Sequence, residues 1–284
     1  MSRLYEALQK SSTGDANAAL ASVPGLAGPA ATVREAEVTV SGLNEVATLA
    51  IPARPEHRLV ALWEERGVGA ERIRTLATRL KHLQQRRSLK KLLITSCVQS
   101  EGKSVIAANV AITLARRGSQ RVLLVDGDSR QPMLTEMMGL RNQPGLADAW
   151  QERQSIIRYL RRYERFPLWF LPAGRILEQP LEMLQSESLP PMMSELNGCF
   201  DWIIIDSAPV APVADSSVWA VMCDGALLVV RAGVTPKRVL GKVAASLEKG
   251  KLIGVVLNDC SDPSQHYYSQ YYKPNGQKTP RQAN

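Results

Sequence analysis

The stretch Thr95-Ser96-Cys97-Val98-Gln99-Ser100-Glu101-Gly102-Lys103-Ser104 lies between a short apolar run and a helical pattern, and it closes on glycine, lysine and a hydroxyl. A turn in that setting aims backbone N–H groups at an anion, and the positive end of the following helix reinforces them. Lys103 would add a positive charge at the β- and γ-phosphates of ATP, and the Ser104 hydroxyl would hold Mg2+. Ser100, Glu101, Gly102 and Val105 complete the candidate nucleotide-binding stretch. The generic pattern places a glycine where Cys97 stands, and Glu101 sets an acid near the phosphates. A Gly-Lys-Ser tripeptide also arises by chance, so the strand–loop–helix context carries the reading.

Two acidic sites strengthen it. Asp126 and Asp128 follow Val122-Leu123-Leu124-Val125, with Arg130 two residues on, and Asp206 follows Ile203-Ile204-Ile205 in the run Ile-Asp-Ser-Ala-Pro. Any one aspartate after an apolar run is equally well a turn or helix cap. Three of them beside Gly-Lys-Ser instead make a cradle for MgATP, because Mg2+ takes a few close oxygen ligands and keeps several waters. Ser104, Asp126 and Asp206 are the candidate metal residues. Lys103, Asp126 and Asp128 are the candidate catalytic ones.

These residues need strands to deliver them to one edge. Apolar runs predict strands at 92–96, 121–125, 168–171, 201–205, 226–230 and 252–257, with helices at 104–117 and 235–248. Apolar strands interleaved with helices imply a mostly parallel, doubly wound α/β sheet of P-loop NTPase type, with ligands at the carboxyl ends of the strands. Before the first strand, Leu59, Leu62, Trp63 and then Ile73, Leu76, Leu80 and Leu83 predict two helices broken at Gly67-Val68-Gly69. Residues 11 to about 55, rich in Ala, Ser, Gly and Pro, read as a linker, and Leu4, Tyr5 and Leu8 share one face of a short possible helix. The expected organisation is a flexible arm over 1–55, a catalytic domain over 56–260 and a polar tail over 261–284.

Composition sets the outer limits. A chain of 284 residues with 45% apolar content can build one substantial core. Its apolar runs fall far short of the roughly 20 residues that cross a bilayer, and the first residues lack the apolar segment of a secretory signal, which predicts a cytoplasmic protein. Cys97, Cys199, Cys223 and Cys260 are widely spaced, as are His57, His82 and His266, which predicts free thiols and no structural zinc. The net charge of +8 fits nucleic acid, an anionic membrane face, an acidic partner or a plain basic solvated surface, and charge alone does not choose among them; on the whole sequence no nucleic-acid partner is expected.

Residues 70–272 resemble the bacterial tyrosine kinases of capsular and exopolysaccharide biosynthesis. The resemblance rests on Gly102-Lys103-Ser104, on Asp126-Gly127-Asp128-Ser129-Arg130 and on Asp206-Ser207-Ala208-Pro209. It continues through Leu171-Pro172-Ala173-Gly174, Asp224-Gly225, Val229-Val230-Arg231-Ala232-Gly233 and Gly254-Val255-Val256-Leu257-Asn258. It implies that Asn258 contacts adenine, that Asp206 holds Mg2+ through water, and that Asp126 or Asp128 binds metal or takes the tyrosine proton. A phenol of pKa about 10 is a poor nucleophile at neutral pH until that proton has a destination. The resemblance also implies a membrane-embedded polysaccharide copolymerase as activator at the inner face of the membrane, and a phosphatase opposing the kinase. Assembly with other copies would use Glu71 and Arg74, although Ala77 stands where the family often has a second arginine and Arg79 lies on another helical face.

Tyr267, Tyr268, Tyr271 and Tyr272 place four of the seven tyrosines within six positions. By resemblance they are the autophosphorylation sites; the plain alternative is an aromatic docking patch. Two other functions compete. Partition and division-site ATPases share these acidic motifs but usually carry a lysine where Val98 stands, and a nucleotide-binding scaffold without turnover would tolerate the irregular loop.

Overall fold

The computed structural model describes residues 43, 45–52, 54–63, 67–117, 120–211, 214–247 and 250–260. The residues around Leu4, Tyr5 and Leu8, the first part of the expected linker and the four tail tyrosines lie outside the described residues.

An eight-stranded sheet organises the chain. Its strands are β1 (Thr48–Leu49), β2 (Lys91–Ser96), β3 (Val122–Asp126), β4 (Arg161–Tyr163), β5 (Leu168–Leu171), β6 (Trp202–Asp206), β7 (Gly225–Arg231) and β8 (Leu252–Asn258). They run in the order β1-β4-β5-β3-β6-β2-β7-β8. All neighbours are parallel except β4 against β5. β3 and β6 are buried along their whole length, as continuous apolar runs covered on both faces must be.

Alternate residues feed two cores. Leu92, Ile94, Leu124, Ile204 and Val229 face one side, with Ile106, Val110 and Ile112 of α3 (Lys103–Arg116). Behind α3 lie α1 (Val60–Trp63) and α2 (Val68–Arg86), whose Leu62, Ile73, Ala77 and Leu80 join the same core. Being covered by the sheet and by two helices, α3 is apolar nearly all round. Its one buried amide, Asn109, locks α1 down: its Oδ1 accepts the Ala61 N–H at 2.9 Å and its Nδ2 donates to the Arg58 carbonyl at 3.0 Å. The opposite face buries Leu93, Leu123, Val125, Ile203 and Ile205. They pack under α5 (Leu146–Glu152), α6 (Pro180–Gln185), α7 (Leu189–Ser194) and α8 (Asp215–Met222). The other two α-helices among the described residues are α4 (Met133–Met137) and α9 (Lys237–Ser246).

The structure differs from the sequence expectations in a few places. Gly67 caps α2, so Val68 and Gly69 are helical instead of breaking the chain. β3 and β6 each run one residue further than their apolar content suggested, because Asp126 and Asp206 continue the pairing and the Gly127 N–H donates to the Asp206 carbonyl at 2.8 Å. α9 starts at Lys237, after the capping Pro236. The composition of residues 45–52 read as linker, yet they supply edge strand β1 and bury Leu49 and Ile51. Strand β4 and helices α4 to α8 are too short for a periodic signature and went unpredicted.

Candidate nucleotide and phosphoryl-transfer site

Three adjacent strands, β3, β6 and β2, bring the candidate residues to one carboxyl edge. The loop after β2 reaches α3 through two residues in the left-handed region, Ser100 at φ 62° and Gly102 at φ 92°. Glycine is required at 102 twice over. A side chain there would be strained at that φ, and its Cβ would stand 2.2 Å from Asn258 Nδ2. Asn258, at the end of β8, donates that amide to the Glu101 carbonyl at 2.9 Å.

The Glu101 carboxylate is taken up by protein donors. Buried, it accepts the Val98 N–H at 2.8 Å and the Arg231 N–H at 3.3 Å, and it also accepts the Thr235 hydroxyl. It therefore braces the loop against the end of β7 and the approach to α9. Cys97, in the place of the generic glycine, is fully buried against Leu228, Val230 and Val243. Burial, with Glu101 adding to it, pushes its thiol up to about 11, so it stays protonated and inert.

Lys103 is the hub. Its Nζ lies 2.9 Å from Asp128 Oδ2, 3.4 Å from Ser104 Oγ and 3.7 Å from Asp206 Oδ1. Burial opposes its charge, but Asp206, Asp128 and Asp126 outweigh that and hold it above the ordinary lysine value. Asp126 and Asp206 are register partners on β3 and β6, and both are wholly buried. Burial, together with the charge of Asp206, pushes Asp126 up to about 7 even though Thr135 donates its N–H and its hydroxyl to Asp126 Oδ2, each at 2.7 Å. Asp206 rises to about 6, chiefly through burial, against the pull of Lys103.

Neither oxygen of Asp206 has a hydrogen-bond partner among the described residues. An orphaned buried carboxylate is costly. With the Ser104 hydroxyl alongside, it is the donor set Mg2+ prefers: hard, oxygen-only and sparse enough to leave room for water and phosphate. Among the described residues no group of three acidic, histidine or cysteine side chains forms an all-protein metal cage. Mg2+ bound with a nucleotide does not need one.

Like the Glu101 carboxylate, Arg130 is an expected nucleotide residue whose side chain the structure commits to a protein partner. Its guanidinium grips Asp215 of α8 at 2.8 and 3.2 Å. Sequence reasoning missed Asp215, although an acid opening a helix was a visible signal. It also missed Thr135, which no spacing marks. Gly127 is pinned because a Cβ would stand 2.8 Å from the Asp206 carbonyl oxygen and 2.9 Å from the Trp219 ring. Beneath the site Thr95, Ser207 and Ser216 share a buried hydroxyl network closed on the Ala208 carbonyl. Beside the loop, a cavity of about 380 Å³ is bounded by Val105, Asn258, Ile73, Leu76 and Arg79.

With this geometry established, likeness to known proteins decides the family. A nucleotide-binding domain model described as CobQ/CobB/MinD/ParA matches residues 92–278. The tyrosine-protein kinase YwqD of Bacillus subtilis (strain 168) is 31% identical over 222 residues, which is 78% of this chain and 93% of that protein. This chain belongs to the bacterial tyrosine kinases. The succinoglycan biosynthesis transport protein ExoP of Rhizobium meliloti (strain 1021) is 34% identical over 202 residues, 65% of the kinase but 26% of that longer protein. The crystal structure of the VpsO kinase domain superposes with a TM-score of 0.64 at 29% identity, covering 72% of the kinase and 98% of that domain. The fold is thus that of the MinD-type P-loop NTPases, and the activity is protein-tyrosine phosphorylation. On α2, Glu71 and Arg74 pair at 2.7 Å, while Ala77 is buried in the core under the helix. No helix among the described residues is long and apolar enough to cross a membrane.

Proposed function

We propose that this kinase transfers the γ-phosphoryl group of ATP to Tyr267, Tyr268, Tyr271 and Tyr272 of another copy, within machinery that makes or exports exopolysaccharide or capsule. The observation that carries the reading is the convergence of Lys103, Asp128 and an Asp206 whose oxygens have no hydrogen bond among the described residues, in one buried pocket at the phosphate turn. Ser104, Asp126 and Asp206, the last through water, would hold Mg2+, which when bound neutralises charge on the phosphate oxygens. The loop amides from Ser100 to Val105 would hold the phosphates. Adenine would rest by Asn258, where the cavity next to Val105 offers apolar walls.

In the transfer, the tyrosine oxygen forms a bond to the γ-phosphorus, the bond from that phosphorus to the β–γ bridging oxygen breaks, and ADP leaves. The phenolic proton goes to a carboxylate. We assign it to Asp128, because a nucleotide that draws Lys103 to its phosphates frees Asp128 Oδ2 in the same movement. Catalysis then rests on alignment and charge neutralisation. Arg130, whose guanidinium is held by Asp215, would be a further phosphate contact at the edge of this site.

A membrane-embedded polysaccharide copolymerase fits as activator, recruiting the kinase to the inner face of the membrane, and ExoP supports this by carrying a similar region inside a much longer transport polypeptide. A protein-tyrosine phosphatase would reverse the modification. Four phosphates would add roughly −6 to −8 charges to the tail and weaken its hold on a neighbour. The test is incubation with MgATP and phosphotyrosine mapping of the wild type, of Lys103→Met and of a chain with the four tail tyrosines changed to phenylalanine. Tail phosphotyrosine in the wild type and in neither variant is expected. Signal that persists in Lys103→Met overturns the assignment.

A further inference from the structure

The loop from Pro172 to Gln179 leaves β5 at the same sheet edge as the phosphate turn and is tied to the site through two hydrogen-bonded steps. The Ala173 N–H donates to Thr135 Oγ1 at 3.0 Å, and that hydroxyl donates to Asp126. Beyond Ala173 the loop presents Ile176, 79% exposed, over a groove of about 1220 Å³ whose other walls are α5, α6 and α7. Trp150 and Met192 give the groove an apolar floor, and Trp150 is fixed by donating its indole N–H to Ser186 at 2.9 Å.

The rim is acidic. Arg175 is consumed locally, donating to Asp148 at 2.6 Å and to Glu152 at 2.8 Å. Arg153 is the other guanidinium on the groove, against Glu178, Glu182 and Glu195. Glu178 and Glu182 are exposed and form no ion pair among the described residues. None of this serves the nucleotide. It suits an extended segment with aromatic and basic residues, and the chain contains one: the tyrosine cluster is followed by Lys273, Lys278 and Arg281 with no acid after Asp262.

We infer that this groove docks residues 273–284 of a second copy, so that the basic run lies along Glu178 and Glu182 while the preceding tyrosines reach the carboxylates at β3 and β6. The inference rests on the proposed tail phosphorylation and adds where and by what chemistry the substrate is held. The second copy follows from the transfer between copies proposed above. The chain's own tail, whose tyrosines lie 7 to 12 residues beyond Cys260 and so reach about 24 to 41 Å, is the alternative that the mixing test decides.

The test mixes two full-length chains with MgATP. One is active but lacks acceptors, with its four tail tyrosines changed to phenylalanine; the other is Lys103→Met with its tail intact. Glu178→Lys with Glu182→Lys on the active copy is expected to lower phosphorylation of the other about tenfold while its ATP affinity is unchanged. The same pair on the acceptor copy changes nothing, and Lys273→Glu, Lys278→Glu and Arg281→Glu on the acceptor restore transfer to the reversed groove. Equal rates for reversed and native grooves, or an effect only from the acceptor copy, overturn the inference. So does wild-type phosphorylation of the tail with no transfer from the active copy to a co-expressed Lys103→Met copy, since that places the chain's own tail in the groove. Should no phosphotyrosine form at all, the proposed tail phosphorylation fails on its own, and anisotropy of a labelled 261–284 peptide still decides the groove. Binding weakened about tenfold by the reversal upholds it, and unchanged binding overturns it.

Discussion

Asp126 and Asp206 face each other as register partners on neighbouring parallel strands, wholly buried, with the Lys103 ammonium 3.7 Å from Asp206. Two buried carboxylates side by side repel, and each stays charged only through the lysine or a bound cation. That relationship governs how the kinase responds to pH, metal and mutation.

The pH response follows from the raised values of about 7 for Asp126 and about 6 for Asp206. A carboxyl group whose folded pKa is raised holds its proton longer in the folded state than in the unfolded chain. Its contribution to stability is present at low pH and is lost as pH rises through the folded value. Metal binding needs the charged form and so has the opposite slope. Without ligands, Tm is expected to fall between pH 5 and 8, while MgATP affinity rises across the same range. Thermal scans and titrations at several pH values check both slopes.

Asp206→Asn removes, at nearly constant volume, a charge that has no hydrogen bond and lies 3.7 Å from the Lys103 ammonium. The ligand-free protein is expected to keep or gain up to about 1 kcal/mol, because a buried carboxylate with no hydrogen bond is replaced by a neutral amide. Phosphoryl transfer falls at least a hundredfold, and the rise in Tm on adding MgATP shrinks. Differential scanning fluorimetry with and without MgATP, beside kcat, separates the two effects.

Asp128→Asn tests the assigned proton acceptor. The side chain keeps one hydrogen-bonding oxygen for the Gln131 N–H, which now reaches Asp128 Oδ1 at 3.1 Å. General-base loss typically costs about 10²–10⁴-fold. The expected outcome is a fall of that size in kcat with the KM for ATP changed less than threefold, measured by phosphotyrosine formation.

Thr135→Val deletes the hydroxyl that donates to Asp126 and accepts the Ala173 N–H, and keeps the backbone N–H that also donates to Asp126. The expected cost is about 1–3 kcal/mol for the unsatisfied groups. With one hydrogen bond to the carboxylate gone, Asp126 titrates higher and the acidic limb of the kcat–pH profile moves upward. A merely structural role for Thr135 would lower Tm and leave that limb in place.

Gly127→Ala drives a methyl against the Asp206 carbonyl and the Trp219 ring, which are backbone and rigid aromatic and cannot yield. Overpacking of this kind costs about 1–3 kcal/mol. Chemical denaturation is expected to show that loss, and kcat to fall as the two acidic strand ends are forced apart.

The sequence alone determined what is local: the apolar runs that become β2, β3 and β5 to β8, the glycine–lysine–serine turn that opens α3, and the acids that follow two of those runs. Such features are set by neighbours a few residues away, so periodicity and turn chemistry reveal them. Tertiary structure alone decided that Glu101 braces Arg231 and Thr235, that Arg130 is held by Asp215, that Thr135 supports Asp126, and that residues 45–52 close the sheet. Each of these contacts except the last joins residues 9 to 134 positions apart. Which strand lies beside which, and hence which side chains meet, depends on how the whole chain buries its apolar surface, and no short window of sequence contains that information.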